Sequence, residues 1–160
     1  MATHGACLAR SLRMIDRHLI GTRTAPTRVL VDAWRVKLFC QAIGETDPVY
    51  WDAAAARAAG HRASPVPPTF LKALESEHCS SAALLERLQV PLGKVLHAEQ
   101  SFDYQQAVNV GDEVEITRSV TDIYDKRDGA LTFIVVQTHY RVGAADAASS
   151  VQTILVRNAQ

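Results

Sequence analysis

The chain has 160 residues, 48% of them hydrophobic, with 17 basic residues balancing 17 acidic ones. That length suits one domain with a core of its own, and the zero net charge excludes nucleic-acid or membrane-surface binding driven by bulk charge. The three cysteines, Cys7, Cys40 and Cys79, are odd in number and widely spaced, so they define neither a disulfide framework nor a metal site and read as reduced thiols of a cytoplasmic protein.

The first 20 residues, "MATHGACLARSLRMIDRHLI", carry Arg10, Arg13, Asp16 and Arg17 inside what would have to be the apolar run of a signal peptide, so none is expected. No later segment approaches a membrane span. Residues 1–19 read as an N-terminal extension and 20–160 as a single domain. A start at Met14 would make the first 13 residues a tail. Residues 27–31 suggest a strand. "AWRVKLFCQAI" at 33–43 has helical period, with Trp34, Leu38, Phe39 and Ala42 on one apolar face, Asp32 as cap and Gly44 as stop. Asp47 before Pro48 is a strong helix start, predicting a second helix over 48–59 that Gly60 ends. The prolines of "SPVPPTF" force an extended lead-in. A longer helix then starts near Thr69, with Leu71, Leu74, His78, Ala82 and Leu85 three or four residues apart. That stripe predicts burial against something large.

At Val95 the period changes to two. "VLHAEQSFDY", "EVEITRSVTDIYD", "LTFIVVQTHYRV" and "SSVQTILVRN" read as four strands of an antiparallel meander. "KRDG" is a hairpin turn, and "GAADAASS" reads as a loop. Strand, helices, then sheet give an α+β class with the helices on one face.

This order resembles the hot-dog fold, an antiparallel sheet wrapped around a long buried helix. "IGT" at 20–22, "AIGETDPVYWDAAAARAAG", "PVPPTF" and "LHAEQSFDYQQAVNVGDEV" resemble, in order and spacing, the MaoC-like acyl-thioester dehydratase/hydratase family in its N-terminal, FAS1-like branch. The resemblance implies reversible hydration of 2-enoyl to (3R)-hydroxyacyl thioesters of CoA or acyl carrier protein. It implies no cofactor beyond the CoA or phosphopantetheine of the substrate. It also implies pairing with another hot-dog subunit, as a homodimer or a heterodimer in which one half holds the acyl chain.

Active members carry Gly-Asp-x-Asn-Pro-x-His. On this chain the glycine falls on Gly44, the catalytic Asp on Glu45, the Asn on Asp47, the proline on Pro48 and the catalytic His on Tyr50. The resemblance therefore marks Glu45 and Tyr50 as catalytic positions. It marks Gly44, Asp47, Pro68, Thr69 and His97 as substrate-binding ones, the last from "H-x-E-Q" with Glu99. The motif is degraded. Addition of water to an enoyl thioester needs a base for water, an acid for Cα and donors for the enolate oxygen. Histidine suits that work because its pKa lies near 7, whereas a tyrosine of pKa about 10 replaces it badly. The extra methylene of Glu45 also displaces its carboxylate, and such misplacement costs about 100-fold. Three readings follow: an acyl-holding subunit that needs a catalytic partner, a self-sufficient homodimeric hydratase using Glu45, and a non-catalytic acyl-CoA binding module or thioesterase. On the residues alone, Glu45 and Asp47 read as loop and helix-cap residues before they read as an acid/base pair, and His78 suits a satisfied core or interface position.

Overall fold

Alternation dictates the sheet. Every second residue from Val114 to Val120 and from Thr132 to Tyr140 is buried, as expected of strands with one face on the core. The computed structural model describes residues 15–158. It has one five-stranded antiparallel sheet of β1 (Thr27–Leu30), β2 (Val95–Tyr104), β3 (Glu113–Lys126), β4 (Leu131–Val142) and β5 (Ala145–Arg157), in the order β1-β3-β4-β5-β2. The expected meander therefore holds only for β3, β4 and β5. β2 lies at the far edge against β5, and β1 closes the other edge against β3. Most of "GAADAASS" is the first half of β5 rather than a loop. Its alanines have low strand propensity, but Ala147 and Ala148 are buried in the same cluster as Phe70 and Leu71.

The helices also depart from the expected lengths and faces. They are α1 (Ala33–Ile43), α2 (Ala53–Ala58), α3 (Phe70–His78) and α4 (Ser81–Arg87). On α1 the buried stripe is Val36 and Cys40, four residues apart, while Trp34 is 66% exposed and Leu38 56%. The smaller apolar face meets the core; of the four residues expected there, only Phe39 does, edge-on to Phe70 at 5.4 Å. The helix expected over 48–59 is a short 3-10 turn, Pro48–Tyr50, followed by α2, because Asp52 restarts it by accepting from the N–H groups of Ala54 and Ala55. The long helix is likewise two. It breaks at Cys79 and Ser80, where the Ser80 hydroxyl accepts from Ala83 N–H at 3.1 Å. Ala82, past the break, is exposed, and so is His78, the last residue of α3. His78 is exposed beside Arg35 at 3.0 Å, not a core group.

The core has two apolar clusters. One gathers Val36, Phe70, Leu71 and Leu74 with Ile116, Tyr140 and Ala148. The other gathers Leu85, Leu88 and Val90 with Val120, Val136 and Ile154, and Ile15 and Leu19 pack against it. Between them runs a polar row across the sheet: Arg118 lies opposite Thr138, and Thr138 opposite Ser150. All three are 2% exposed. Above this row α3 lowers Glu75, 1% exposed. The Glu75 carboxylate accepts from the Tyr140 hydroxyl at 2.7 Å and from Lys72 Nζ at 2.9 Å, and lies 3.2 Å from Arg118 Nε. Lys72 continues to Gln152 at 3.0 Å, and Arg118 Nη1 donates to the Cys79 carbonyl at 3.3 Å. Burial, then the Glu75 charge, push the Tyr140 phenol far above its ordinary range, so it remains a donor.

A buried charge that loses its partner costs more than the pair contributes, because the survivor is left desolvated and uncompensated. Glu75→Ala strands Arg118 and Lys72, and the expected loss in urea unfolding is about 3–5 kcal/mol. Tyr140→Phe removes only the hydroxyl donor, and about 1–3 kcal/mol is expected. Losses below about 1 kcal/mol for both would show that the row is not a structural tie.

Candidate functional site

The loop after α1 is built by capping. Gly44 takes the left-handed conformation at φ 73°, and its N–H closes the helix on the Cys40 and Gln41 carbonyls. That conformation suits glycine. Glu45 then turns its Oε1 back onto its own loop, accepting from Thr46 N–H at 2.8 Å and Asp47 N–H at 2.9 Å. Asp47 Oδ1 accepts from Val49 N–H at 2.9 Å. Asp52 Oδ1 accepts from Ala54 N–H at 2.7 Å and Ala55 N–H at 3.2 Å. Each carboxylate of this stretch serves the backbone within three residues, as side chains of this kind do at turns and helix starts.

Tyr50 points the other way. It is half-buried and packs against the first apolar cluster. Burial raises its phenol above the ordinary tyrosine value, and the negative charges of Glu45 and Asp47 raise it further. The group is thus a hydrogen-bond donor at neutral pH and a poor base. Cys40, behind the loop, is raised for the same two reasons, burial first and Glu45 second.

A cleft of about 400 Å³ opens beside Tyr50, at the start of α3. Val49, Val66, Leu71 and Val108 give it apolar walls, and Tyr50, His61, Tyr104, Gln105 and Gln106 supply its polar groups. Among the described residues, no Asp, Glu, Lys or Arg lines it. The segment before α3 reaches it through a bridge between Pro65 and Asn109, with Val66 N–H on the Val108 carbonyl at 2.8 Å.

Of the residues singled out by sequence, Tyr50 and Pro68 line this cleft. Glu45 and Asp47 do not line it. Gly44 is the helix stop. Thr69 sits at the N-cap position of α3, exposed, with no side-chain cap bond. His97 lies on the exposed edge strand, its Nε2 3.1 Å from the Glu99 carbonyl, and it does not line the cleft. His61, Tyr104, Gln105 and Gln106 escaped the sequence reading. The signal was present for His61, which directly follows the Gly60 helix stop, but only the pairing of 64–66 with 108–110 brings these segments to one place.

A five-stranded antiparallel sheet packed against α3, with a cleft where that helix begins, is the hot-dog architecture. The chain belongs to the family described as FAS1-like, dehydratase domain region, whose pattern matches residues 18–145. Among relatives, a UPF0336 protein of Streptomyces griseus is 31% identical over 107 residues, covering 66% of this chain and 71% of its own length. Another from Streptomyces coelicolor is 28% identical over 130 residues, covering 81% and 87%. Among solved structures, a MaoC-like dehydratase superposes with a TM-score of 0.75 at 24% identity, over 88% of this chain and 43% of that one. The C-terminally truncated HadBC (3R-hydroxyacyl-ACP dehydratase) complex of Mycobacterium tuberculosis gives 0.73 at 19%, over 86% and 96%. The (R)-hydratase of A. caviae gives 0.66 at 22%, over 84% and 94%. At these identities the superpositions establish the fold.

The raised Tyr50 phenol has a measurable consequence. Its folded value lies above the unfolded one, so its contribution to stability is fully present below about pH 10 and is lost as pH rises through the folded value. Subtracting the alkaline ultraviolet titration of Tyr50→Phe from that of the parent should leave one phenol ionising above pH 10, the ordinary value. A difference curve centred at or below pH 10 would contradict the burial and charge environment described for this side chain.

Proposed function

We propose that this chain is the acyl-holding member of a hot-dog pair that interconverts 2-enoyl and (3R)-hydroxyacyl thioesters of CoA or acyl carrier protein. The observation that carries the reading is the division of labour around residues 44–52. The carboxylates of the motif loop accept from backbone N–H groups, while a cleft lined by apolar and neutral hydrogen-bonding groups lies beside Tyr50. Such a cleft can shelter an acyl chain and its thioester, and its polar groups can orient the carbonyl. What it lacks is a carboxylate to activate water, and the imidazole of the motif position is a phenol held protonated. A partner hot-dog carrying the intact Asp and His would supply those groups. The competing reading, a self-sufficient homodimeric hydratase, requires Glu45 to leave two good backbone hydrogen bonds and reach the substrate.

Pairing has a place to occur. β2 is ten residues long, lies at the open edge of the sheet, and leaves Leu96 and Tyr104 more than 40% exposed. A long edge strand with apolar side chains invites another strand, whereas β1 at the opposite edge has only four residues. Solved neighbours in this fold include two complexes, HadBC and ChsH1-ChsH2. Among the described residues no helix is long and apolar enough to cross a membrane. Cys40 and Cys79 are free and buried. The free thiols suit a reducing compartment, the cytoplasm in this reading.

The purified chain should sediment and scatter light as a dimer at micromolar concentration, and a monomer would remove the edge-pairing account. Alone, it should hydrate crotonyl-CoA poorly or not at all, and activity should appear on co-production with a hot-dog subunit carrying the intact motif. Glu45→Gln should leave the activity of that pair within about threefold. A drop of about 100-fold, the scale of a general base, would instead establish the Glu45 reading. The double variant Glu45→Asp with Tyr50→His restores the two groups at the family spacing and should gain measurable hydration by the chain alone. Robust turnover by the unmodified chain, lowered in the double variant, would sink the acyl-holding assignment.

A further inference from the structure

Of the polar groups in the cleft, His61 has its backbone fixed on both sides and its side chain committed to nothing among the described residues. Gly60 turns the chain out of α2 in the left-handed conformation at φ 88°. Its N–H donates to the Arg57 carbonyl at 3.0 Å, and His61 N–H reaches back to the Ala56 carbonyl at 2.9 Å. These two bonds close the helix end and fix the His61 backbone. On the other side, Arg62 pairs with Asp112, and Ser64 accepts from Val110 N–H at 2.8 Å. The residue is thus pinned between a helix end and a sheet-like bridge. Its imidazole is half-buried, lines the cleft, and has no hydrogen-bond partner among the described residues.

A half-buried donor in a mostly apolar cleft gains most when a ligand brings it an acceptor. The cleft's walls are apolar at Leu71, Val66 and Val49, so they receive hydrocarbon. The first acceptor encountered beyond a short acyl chain is the thioester carbonyl. Tyr50 and Tyr104, the two phenols lining the cleft, are kept protonated by burial and likewise have no side-chain hydrogen-bond partner among the described residues. Tyr50 is the one that the core cluster packs against.

Resting on the acyl-holding reading, we propose that His61 is the carbonyl-binding residue of the cleft: its imidazole N–H donates to the carbonyl oxygen of the bound acyl thioester, across from the Tyr50 phenol. The role is one of binding and orientation, and no proton leaves the imidazole. It also sets a preference. With no Lys or Arg lining the cleft among the described residues, neutral acyl groups fit better than acyl groups that end in a carboxylate.

Calorimetric titration with butyryl-CoA, which is saturated and cannot be hydrated, tests this on the full chain. His61→Phe keeps the ring and removes the donor, and it should raise Kd about tenfold, the scale of one hydrogen bond. His61→Gln keeps an N–H donor and should bind within about threefold of the parent. The thioether S-butyl-CoA lacks the carbonyl, so the parent and His61→Phe should bind it equally. Equal binding of butyryl-CoA by the parent and His61→Phe would overturn the assignment of His61 alone. So would a loss in His61→Phe that is as large for the thioether as for the thioester. Absence of saturable binding by the parent would overturn the acyl-holding reading, and this inference with it.

Discussion

The interaction on which the rest of the structure depends is the burial of one carboxylate, Glu75, between the two apolar clusters of the core. A charge at that depth is tolerated only when it is compensated and its oxygens are satisfied. Here Lys72, Arg118 and Tyr140 surround it, drawn from the same helix, from β3 and from β4. The polar row of Arg118, Thr138 and Ser150 gives the sheet a fixed seam across its buried face. Apolar contacts alone would let α3 slide along a surface of similar side chains. A carboxylate held by Arg118 on β3 and Tyr140 on β4 permits one position.

That position determines the site. Leu71 lies four residues before Glu75, on the same face of α3, and it is both a member of the first cluster and a wall of the cleft. Fixing Glu75 therefore fixes the wall against which an acyl chain would lie. The cleft's other side depends on the bridge of Pro65 to Asn109, and on Asp112, which binds Arg62 and also accepts from Asn109 N–H at 2.8 Å. His61 and Val66 are held between these points. The motif loop stands apart from this frame: its carboxylates stabilise a tight turn between α1 and α2, and only its Val49 and Tyr50 line the cleft.

Much of this was legible in the residues. Alternation along 113–125 located β3, a β-branched and aromatic run apolar on both faces in its first half located β4, and "KRDG" located their turn, where Arg127, Asp128 and Gly129 all adopt positive φ. The Gly44 stop and the Asp47 cap were read from local chemistry and stand as such. Local signals failed where competing ones were of equal strength. The stripe from Leu71 to Leu85 continues in phase through Cys79 and Ser80, so nothing in its period marks the break; only the serine cap does. On α1 the larger apolar residues suggested the core face, but Val36 and Cys40 occupy it. Non-local pairing was beyond reach. Glu75 looks like a solvent-facing helix residue until Tyr140, 65 residues later, meets it. The edge position of β2 likewise follows from pairing with β5 rather than from its own alternation.

A structure of the chain with bound butyryl-CoA tests the central claim most directly, because it separates the cleft from the motif loop. The account predicts the acyl chain against Leu71 and Val66, with the thioester carbonyl between Tyr50 and His61. It predicts Glu45 and Asp47 still bonded to the backbone amides of their own loop. An acyl group lodged elsewhere, or a Glu45 carboxylate swung away from Thr46 and Asp47 to meet the thioester, would contradict it.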